Sequence, residues 1–195
     1  MKIEAAAAAG VGWIQIREKD LSGRDCGLLT REALQRAAKS PATNDAPARI
    51  MVNDRVDAAL AERAGGVHLG ENSLPLAEAK RLVKARVSSS GFLTGVSCHS
   101  LEAAKTAAKD GADYVFFGPV FATPSKAAFG SPQGIERLTE VCRAVSVPVL
   151  AIGGITLANA SACLAAGASG IAAIRLFQDA PDLTSVVRSL EGLRH

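Results

Sequence analysis

Short runs of aliphatic and β-branched residues alternate with amphipathic stretches along almost the whole chain. The runs predict strands at residues 13–16, 49–52, 66–69, 93–97, 114–118, 149–152 and 170–174. The amphipathic stretches predict helices at residues 28–38, 56–63, 75–83, 101–109, 135–144 and 159–166, with a last helix at 182–193. Strands separated by helices usually pair in parallel through right-handed crossovers. The pattern therefore predicts one α/β domain that covers residues 1–195.

The predicted helix ends repeat one theme, in which a glycine comes shortly before the next apolar strand. The segments AGGVHLG, DGADYVFFG and AGASGIAAI carry it. Glycine commonly ends a helix before a tight turn, so we expect it to be the C-cap in each case. Repeated short turns of this kind favour a regular barrel over an open sheet.

A TIM barrel has eight strands, one more than the hydrophobic pattern supplies. Residues 1–10 are rich in alanine and predict a helix, so the predicted fold is a (β/α)8 TIM barrel that lacks its first strand. Two explanations stay open, namely an incomplete chain start and a variant barrel with a gap. A gap would expose two strand edges, which proteins usually avoid.

Composition excludes several kinds of partner. The 195 residues have a net charge of +3, and only 4% of them are aromatic. The chain has no basic stripe with interleaved aromatics and no long apolar run, so we expect neither a nucleic-acid partner nor a membrane helix. The four cysteines lack metal-binding spacing, which predicts reduced thiols in a cytoplasmic protein. A homo-oligomer is left open.

Polar side chains continue beyond the first predicted strand. Gln15, Arg17 and Lys19 alternate along the sequence, so strand geometry would place them on one side. Two cations and an amide donor at a strand end suit a polyphosphate ligand. The alternative is a solvated charged loop.

An amide and a carboxylate, Asn53 and Asp54, follow the second predicted strand. Such a pair can hold Mg²⁺ and a phosphate oxygen. The simpler interpretation is that one of them caps the helix that begins at Val56. The two interpretations are compatible with each other.

A long connection at residues 120–133 carries Thr123, Ser125 and Lys126. Long loops in folds with short connections are often lids or binding loops, and two hydroxyls with an ammonium group suit an anion. Without the other motifs, a plain flexible loop would be the preferred interpretation.

Paired glycines, Gly153 and Gly154, follow the sixth predicted strand. Glycines let backbone N–H groups come close to a phosphate, and phosphate sites near the last strands are common in TIM barrels. A plain tight turn would show the same pattern. Arg175, at the end of the last predicted strand, would add a charged contact.

Two histidines lie near predicted strands. His68 is inside an apolar strand, which indicates a buried residue of the barrel interior. His99 follows a strand end, where a histidine can act in proton transfer.

Taken together, these motifs resemble the family of thiamine phosphate synthase and thiazole tautomerase. The resemblance covers nearly the whole chain, and the fold that it implies is the (β/α)8 barrel. The matching segments, in order, are GVGWIQIREKDLSGR, VNDRVDAALAERAGGVHLG, GVSCHS, DYVFFGPVFATPSK, PVLAIGGIT and GIAAIRLF.

The resemblance to the synthase implies a complete set of site residues. It implies that the pyrimidine diphosphate is held by residues 15–19, Asn53, Ser97 and Lys126, with Arg17, Lys19, Lys126 and Ser97 as the catalytic residues. It implies that the thiazole phosphate is held by Thr123, Ser125, Gly154, Ile174 and Arg175. It also implies that Asp54 binds Mg²⁺, the expected cofactor. The implied reaction joins the pyrimidine methylene to the thiazole nitrogen and releases pyrophosphate.

Two positions depart from the synthase pattern. Ser73 stands where the family has a second Mg²⁺ aspartate, and Glu71, Asn72 or a water molecule are the alternative replacements for that ligand. Arg175 stands where the family tends to have a small hydroxyl residue. The segment around His99 is also similar to that of the tautomerase, in which this histidine would move a proton. A tautomerase and a non-catalytic barrel that binds phosphorylated ligands are therefore the alternative functions.

Overall fold

A computed structural model describes residues 2–39, 47–86, 91–123 and 131–194. The chain divides into two compact units, Met1–Thr94 and Gly95–His195. Each unit consists of parallel strands separated by helices. The prediction of a single domain over residues 1–195 stays a prediction.

The first unit begins with a helix, as expected for residues 1–10. Strands β1, β2 and β3 pair in parallel in chain order, with Trp13 opposite Arg49 and Met51 opposite Gly66. The elements are α1 (Lys2–Ala8), β1 (Trp13–Ile16), α2 (Gly23–Ala38), β2 (Arg49–Asn53), α3 (Val56–Ala61), β3 (Gly66–Leu69) and α4 (Leu76–Arg86).

The second unit continues the same alternation. Strands β4 to β7 also pair in parallel in chain order, with Gly95 opposite Tyr114 and Leu150 opposite Gly170. The elements are β4 (Leu93–Cys98), which begins at the end of the first unit, α5 (Leu101–Lys109), β5 (Tyr114–Phe117), α6 (Gly134–Ala144), β6 (Val149–Ile152), α7 (Leu157–Ala165), β7 (Gly170–Ala172), α8 (Arg175–Gln178), α9 (Leu183–Glu191) and a 3₁₀ turn (Gly192–Arg194).

The predicted class, a (β/α) TIM-type fold, is confirmed, with seven parallel strands among the described residues. One element was missed. The last predicted strand, at 170–174, runs too far, because β7 ends at Ala172 and Ile174 is already the N-cap of α8. A four-residue helix has too short a pattern to be distinguished from the end of a strand.

The core consists mainly of aliphatic residues from the strands. Every residue of β3 and of β5 is buried, so both faces of these strands are covered. Val52, Val67 and Val115 have no exposed surface. Such continuous apolar burial is typical of parallel sheets, which carry helices on their faces. Within the described parts of the chain, no helix combines the length and the hydrophobicity that a membrane span requires.

The predicted glycine C-caps are confirmed at two of the three helix ends. Gly111 and Gly167 adopt left-handed backbone conformations, with φ of 88° and 99°. At the third end the prediction is wrong, because the left-handed residue is Arg63, with φ of 54°. The amide of Ala64 donates to Ala59 O at 2.9 Å, which completes the usual closing turn of the helix around Arg63.

This strained position gives a stability prediction. Arg63→Gly is expected to raise the free energy of unfolding by about 1 kcal/mol, because a side chain makes the left-handed conformation unfavourable by roughly 1–2 kcal/mol and glycine's greater unfolded-state entropy offsets part of the gain. Urea unfolding of the wild type and the variant measures this change in the free energy of unfolding. Gly167→Ala is the matched control and should change stability in the opposite direction. A loss of stability in Arg63→Gly would contradict the assignment.

Candidate active site

In the first unit, two polar residues predicted from the sequence contact each other. Gln15 Nε2 donates a hydrogen bond to Asn53 Oδ1 at 2.7 Å, and both side chains are half-buried. Gln15 lies on β1 and Asn53 is the last residue of β2, the neighbouring parallel strand. Parallel pairing brings the carboxyl ends of these strands together, which places the two amides side by side.

Asp54 accepts hydrogen bonds from three donors. Asn53 Nδ2 donates to Oδ2 at 2.6 Å, and the amide of Gly70 donates to Oδ1 at 3.2 Å. The hydroxyl of Ser73 also donates to Oδ1. Gln15, Asn53, Asp54 and Ser73 therefore form one continuous hydrogen-bonded chain across the ends of β1, β2 and β3.

The backbone of Asp54 adopts an unusual conformation. Its φ is 61°, in the left-handed region that residues with side chains rarely adopt, although aspartate tolerates it better than most. The amide of Asp54 donates to His68 O at 2.9 Å, which ties this bend to β3. Strained conformations of this kind often mark functional sites.

The alternative role of Asn53 or Asp54 as a helix cap is not supported. The N-cap of α3 is Arg55, and it makes no side-chain capping bond. The side chains of Asn53 and Asp54 bond to Gln15, Gly70, Ser73 and each other instead. Both side chains therefore belong to the strand-end site.

His68 lies in the core beneath this site. It is 2% exposed, which confirms the predicted buried position. Burial lowers the pKa of His68 to about 4, the nearby Asp54 carboxylate opposes this shift, and the Arg17 guanidinium adds to it. The imidazole is therefore neutral near pH 7, and Asp54 and Arg17 are both close enough to act on it electrostatically.

Arg17 and Lys19 lie beyond the end of β1. Since the strand ends at Ile16, the alternation expected from strand geometry does not extend to them. Both side chains are exposed. Their joint contact with a polyphosphate stays a prediction.

The donors present fit a cation held by one protein carboxylate. No group of three or more His, Cys, Asp or Glu residues with metal-ligand geometry occurs in the described ranges. Mg²⁺ often takes only one or two carboxylates and obtains its other ligands from substrate phosphates and water. Asp54 Oδ2 accepts from Asn53 and has a second lone pair. Asp54 alone can therefore supply the protein ligand.

In the second unit, the end of β4 is linked to the end of β5. His99 Nδ1 forms a hydrogen bond with Gly118 O, and the Gly118 amide donates to Cys98 O at 3.3 Å. Pro119 follows Gly118 through a cis peptide bond. His99 and Ser97 are half-buried. The hydrogen bond holds the imidazole against the backbone that leads into the 119–123 segment.

The paired glycines at the end of β6 face this same segment. The amides of Val120 and Phe121 donate to Ile152 O at 2.9 Å and to Gly153 O at 3.0 Å. A Cβ atom on Gly154 would lie 2.6 Å from Ala122 O, and Gly154 has a φ of 65°. Only glycine fits here, as the tight-turn interpretation requires, and contact of Gly154 with a phosphate stays a prediction.

Asn159 is a contributor that the sequence reasoning missed. Its Oδ1 accepts from the Thr156 amide at 2.8 Å, and its Nδ2 donates to Gly154 O at 3.0 Å. The signal was present as Thr156 followed three residues later by Asn159, a variant of the capping box. Asn159 thus fixes Gly154 at the start of α7, where helix amides favour anions.

For the remaining predicted residues, the structure gives the exposure of the side chain, or the residue lies outside the described range. Ile174 is 54% exposed, and Arg175 is also exposed, at the start of α8. Thr123 is half-buried, whereas Ser125 and Lys126 lie outside the described residues. Contacts of all five with a ligand stay predictions.

Parallel strands separated by helices define a protein of the (β/α)-barrel class, and the polar and glycine-rich carboxyl ends of these strands are its candidate site. The family model for thiamine monophosphate synthase matches residues 1–177, and the chain belongs to this family.

Relatives and a solved structure agree with this assignment. A putative thiamine-phosphate synthase of Geobacter sulfurreducens is 46% identical over 191 residues, which cover 98% of this chain and 84% of the relative. The thiamine-phosphate synthase of Methanoculleus marisnigri is 48% identical over 185 residues, 95% of this chain and 82% of the relative. The structure of thiamine phosphate pyrophosphorylase from Pyrococcus furiosus has a TM-score of 0.83 at 32% identity, covering 98% of this chain and 87% of that one.

Proposed function

We propose that this chain is a thiamine-phosphate synthase. It would couple 4-amino-2-methyl-5-(diphosphooxymethyl)pyrimidine with thiazole phosphate, giving thiamine phosphate and pyrophosphate. The observation that carries the proposal is the hydrogen-bonded chain of Gln15, Asn53 and Asp54 across adjacent strand ends. The four cysteines of the protein are free thiols, which suit a reducing compartment, so a cytoplasmic location is part of the proposal.

The first unit would hold the diphosphate of the pyrimidine. Gln15 and Asn53 orient each other, and the positive charges of Arg17 and Lys19 offset the negative charge of the diphosphate leaving group. Asp54 would be the protein ligand of Mg²⁺, which supplies further charge neutralisation when it is bound. Ser97 and Lys126 belong to the second unit, and their roles in diphosphate binding stay predictions from the family resemblance. Neutralising the charge that builds up on a leaving group is often the largest contribution to catalysis.

The reaction itself needs little proton transfer. The bond between the methylene carbon and the diphosphate oxygen breaks, and its electrons leave with pyrophosphate. The electron-rich aminopyrimidine stabilises the methylene cation, and the lone pair of the thiazole nitrogen then forms the new C–N bond. Orientation of the two substrates is therefore the main remaining requirement. No general base is needed.

The second unit would bind the thiazole phosphate. Gly154 leaves room for the phosphate to approach the backbone, and Asn159 holds that backbone at the N-terminus of α7. Thr123, Ser125, Ile174 and Arg175 are the further candidates. Arg175 would add a positive charge where the family tends to have a small hydroxyl residue.

The tautomerase alternative is not favoured. It requires His99 to carry a proton to and from the substrate, and the hydrogen bond of His99 Nδ1 with Gly118 O does not prevent this, because Nε2 can still accept a proton. This hydrogen bond suits a residue that positions the backbone before Pro119. The relatives named above, however, are synthases.

The test is formation of thiamine phosphate from the two substrates with Mg²⁺. Product that disappears on adding EDTA is expected. Gln15→Ala should lower kcat/KM by about ten-fold or more, because a hydrogen bond to a charged group contributes about 1.5–3 kcal/mol. The control Gln35→Ala changes an exposed glutamine on α2 and should have wild-type activity. Equal activity of both variants, or conversion of the thiazole tautomer without coupling, would contradict the proposal.

A further inference from the structure

Ser73 makes two contacts that no assigned role explains. It lies in the turn after β3, where its Oγ accepts the Gly70 amide hydrogen bond at 2.6 Å and donates to Asp54 Oδ1. The Ser73 amide also donates to Gly70 O at 3.2 Å. Its neighbours in the turn, Glu71 and Asn72, are exposed. The turn is thus folded so that a hydroxyl, and no second acid, reaches Asp54.

These contacts occupy most of the Asp54 carboxylate. Oδ1 accepts from both Ser73 and Gly70, which uses its two lone pairs, and Oδ2 accepts from Asn53. One lone pair, on Oδ2, is left for another ligand. Three donors also offset part of the negative charge that would attract a cation.

Mg²⁺ gives up its water shell reluctantly and usually needs one or two carboxylates together with substrate phosphates. A single carboxylate that already accepts three hydrogen bonds gives a hydrated cation too few ligand atoms to replace the water molecules that it would lose. A diphosphate beside Asp54 would add several anionic oxygens, and with them the cation would have enough ligands.

We propose that Ser73 makes divalent-cation binding depend on the diphosphate, because its hydroxyl donates a hydrogen bond to Asp54 Oδ1. The proposal rests on the proposed function in taking a diphosphate as the substrate group. The cation then binds together with the diphosphate and not before it, and Ser73 is the residue that causes this dependence. A carboxylate at position 73 would instead let the free protein bind the cation.

The experiment is a calorimetric titration with Mn²⁺, without substrate, of the wild type, Ser73→Ala and Ser73→Asp. Wild type is expected to bind Mn²⁺ weakly. Ser73→Asp should bind it about ten-fold more tightly or better, since it adds a second carboxylate. Ser73→Ala should also bind it more tightly than wild type, because it releases Asp54 Oδ1. Ser73→Thr keeps a hydroxyl and should behave as wild type. Asp54→Asn should abolish the gain in every background.

A second titration uses inorganic pyrophosphate with and without Mn²⁺. Wild type should bind the pair about ten-fold more tightly than pyrophosphate alone, and Ser73→Asp should show less dependence of one ligand on the other. If wild type binds Mn²⁺ alone as tightly as Ser73→Asp, the proposal is overturned. It is also overturned if Ser73→Ala folds and matches wild type; if that variant fails to fold, the comparison of Ser73→Thr with Ser73→Asp decides. Because these measurements involve no turnover, a lack of thiamine phosphate formation would reject the proposed function without changing their result.

Discussion

Lowering the pH from 6.5 to about 4 is expected to reduce the free energy of unfolding by about 3 kcal/mol through His68 alone. In the folded protein burial holds the pKa of His68 at about 4, whereas an unfolded histidine has its ordinary value of 6.5. Above 6.5 both states are neutral and His68 contributes no pH dependence. Between the two values the unfolded state binds a proton that the folded state does not, so stability is lost as the pH falls. Below about 4 both states are protonated and the loss stops.

Urea unfolding at stepped pH values measures this dependence. Carboxylates also titrate towards the lower end of the range, so the useful quantity is the difference between wild type and His68→Gln. The variant keeps a polar side chain but has no group that titrates there. Its free energy of unfolding should fall less steeply as the pH is lowered, and the difference in slope corresponds to about one proton taken up on unfolding. Parallel slopes for the two proteins would show that His68 takes up its proton at the same pH in the folded and unfolded states, in conflict with its burial.

The strand ends could be predicted from the sequence because local patterns determine them. Apolar runs fix where β1 and β2 stop, and parallel pairing then brings whatever follows them to one edge. The family resemblance gave Gln15 and Asn53 the same ligand, and the two side chains are in contact at 2.7 Å. The bend at Asp54 was not predictable, since aspartate has no intrinsic preference strong enough to indicate a φ of 61°.

The glycines of AGGVHLG show why one helix cap was assigned wrongly. A Cβ atom on Gly65 would overlap the Arg49 side chain, and one on Gly66 would overlap Leu93 O. These glycines therefore permit close approach between neighbouring segments. The left-handed turn falls on Arg63, two residues before the pair. Sequence marks a glycine as necessary, but only tertiary packing tells whether backbone conformation or space is the reason.

The contacts of Ser73 are a second feature that could not be predicted from the sequence alone. The sequence indicates that a hydroxyl stands where the family has an acid, and it leaves open whether Glu71 or Asn72 replaces that acid. Which residue replaces the acid as a metal ligand stays a prediction. Ser73 points to Asp54, whereas Glu71 and Asn72 are exposed. Side-chain direction in a short turn depends on hydrogen bonds that periodicity does not encode.

Gly154→Ala is expected to raise the KM for thiazole phosphate by about ten-fold or more and to lower the free energy of unfolding by about 2–4 kcal/mol. The added Cβ would lie 2.6 Å from Ala122 O and 2.8 Å from Phe121 O, both backbone atoms that a side-chain rotation cannot relieve. The φ of 65° adds the strain of a left-handed residue with a side chain. The segment 119–123 must therefore move away from β6, and the backbone that Asn159 holds would move with it.

Steady-state kinetics with each substrate varied, together with urea unfolding, separates the two effects. Gly192→Ala is the matched control, because a Cβ there meets no atom within 4 Å and φ is −61°. It should leave both quantities at wild-type values. The KM for the pyrimidine diphosphate should rise less than that for the thiazole phosphate in Gly154→Ala, since Gln15 and Asn53 are unaffected. An equal rise in both KM values would contradict a specific phosphate role for Gly154 and would indicate that the substitution only loosens the fold.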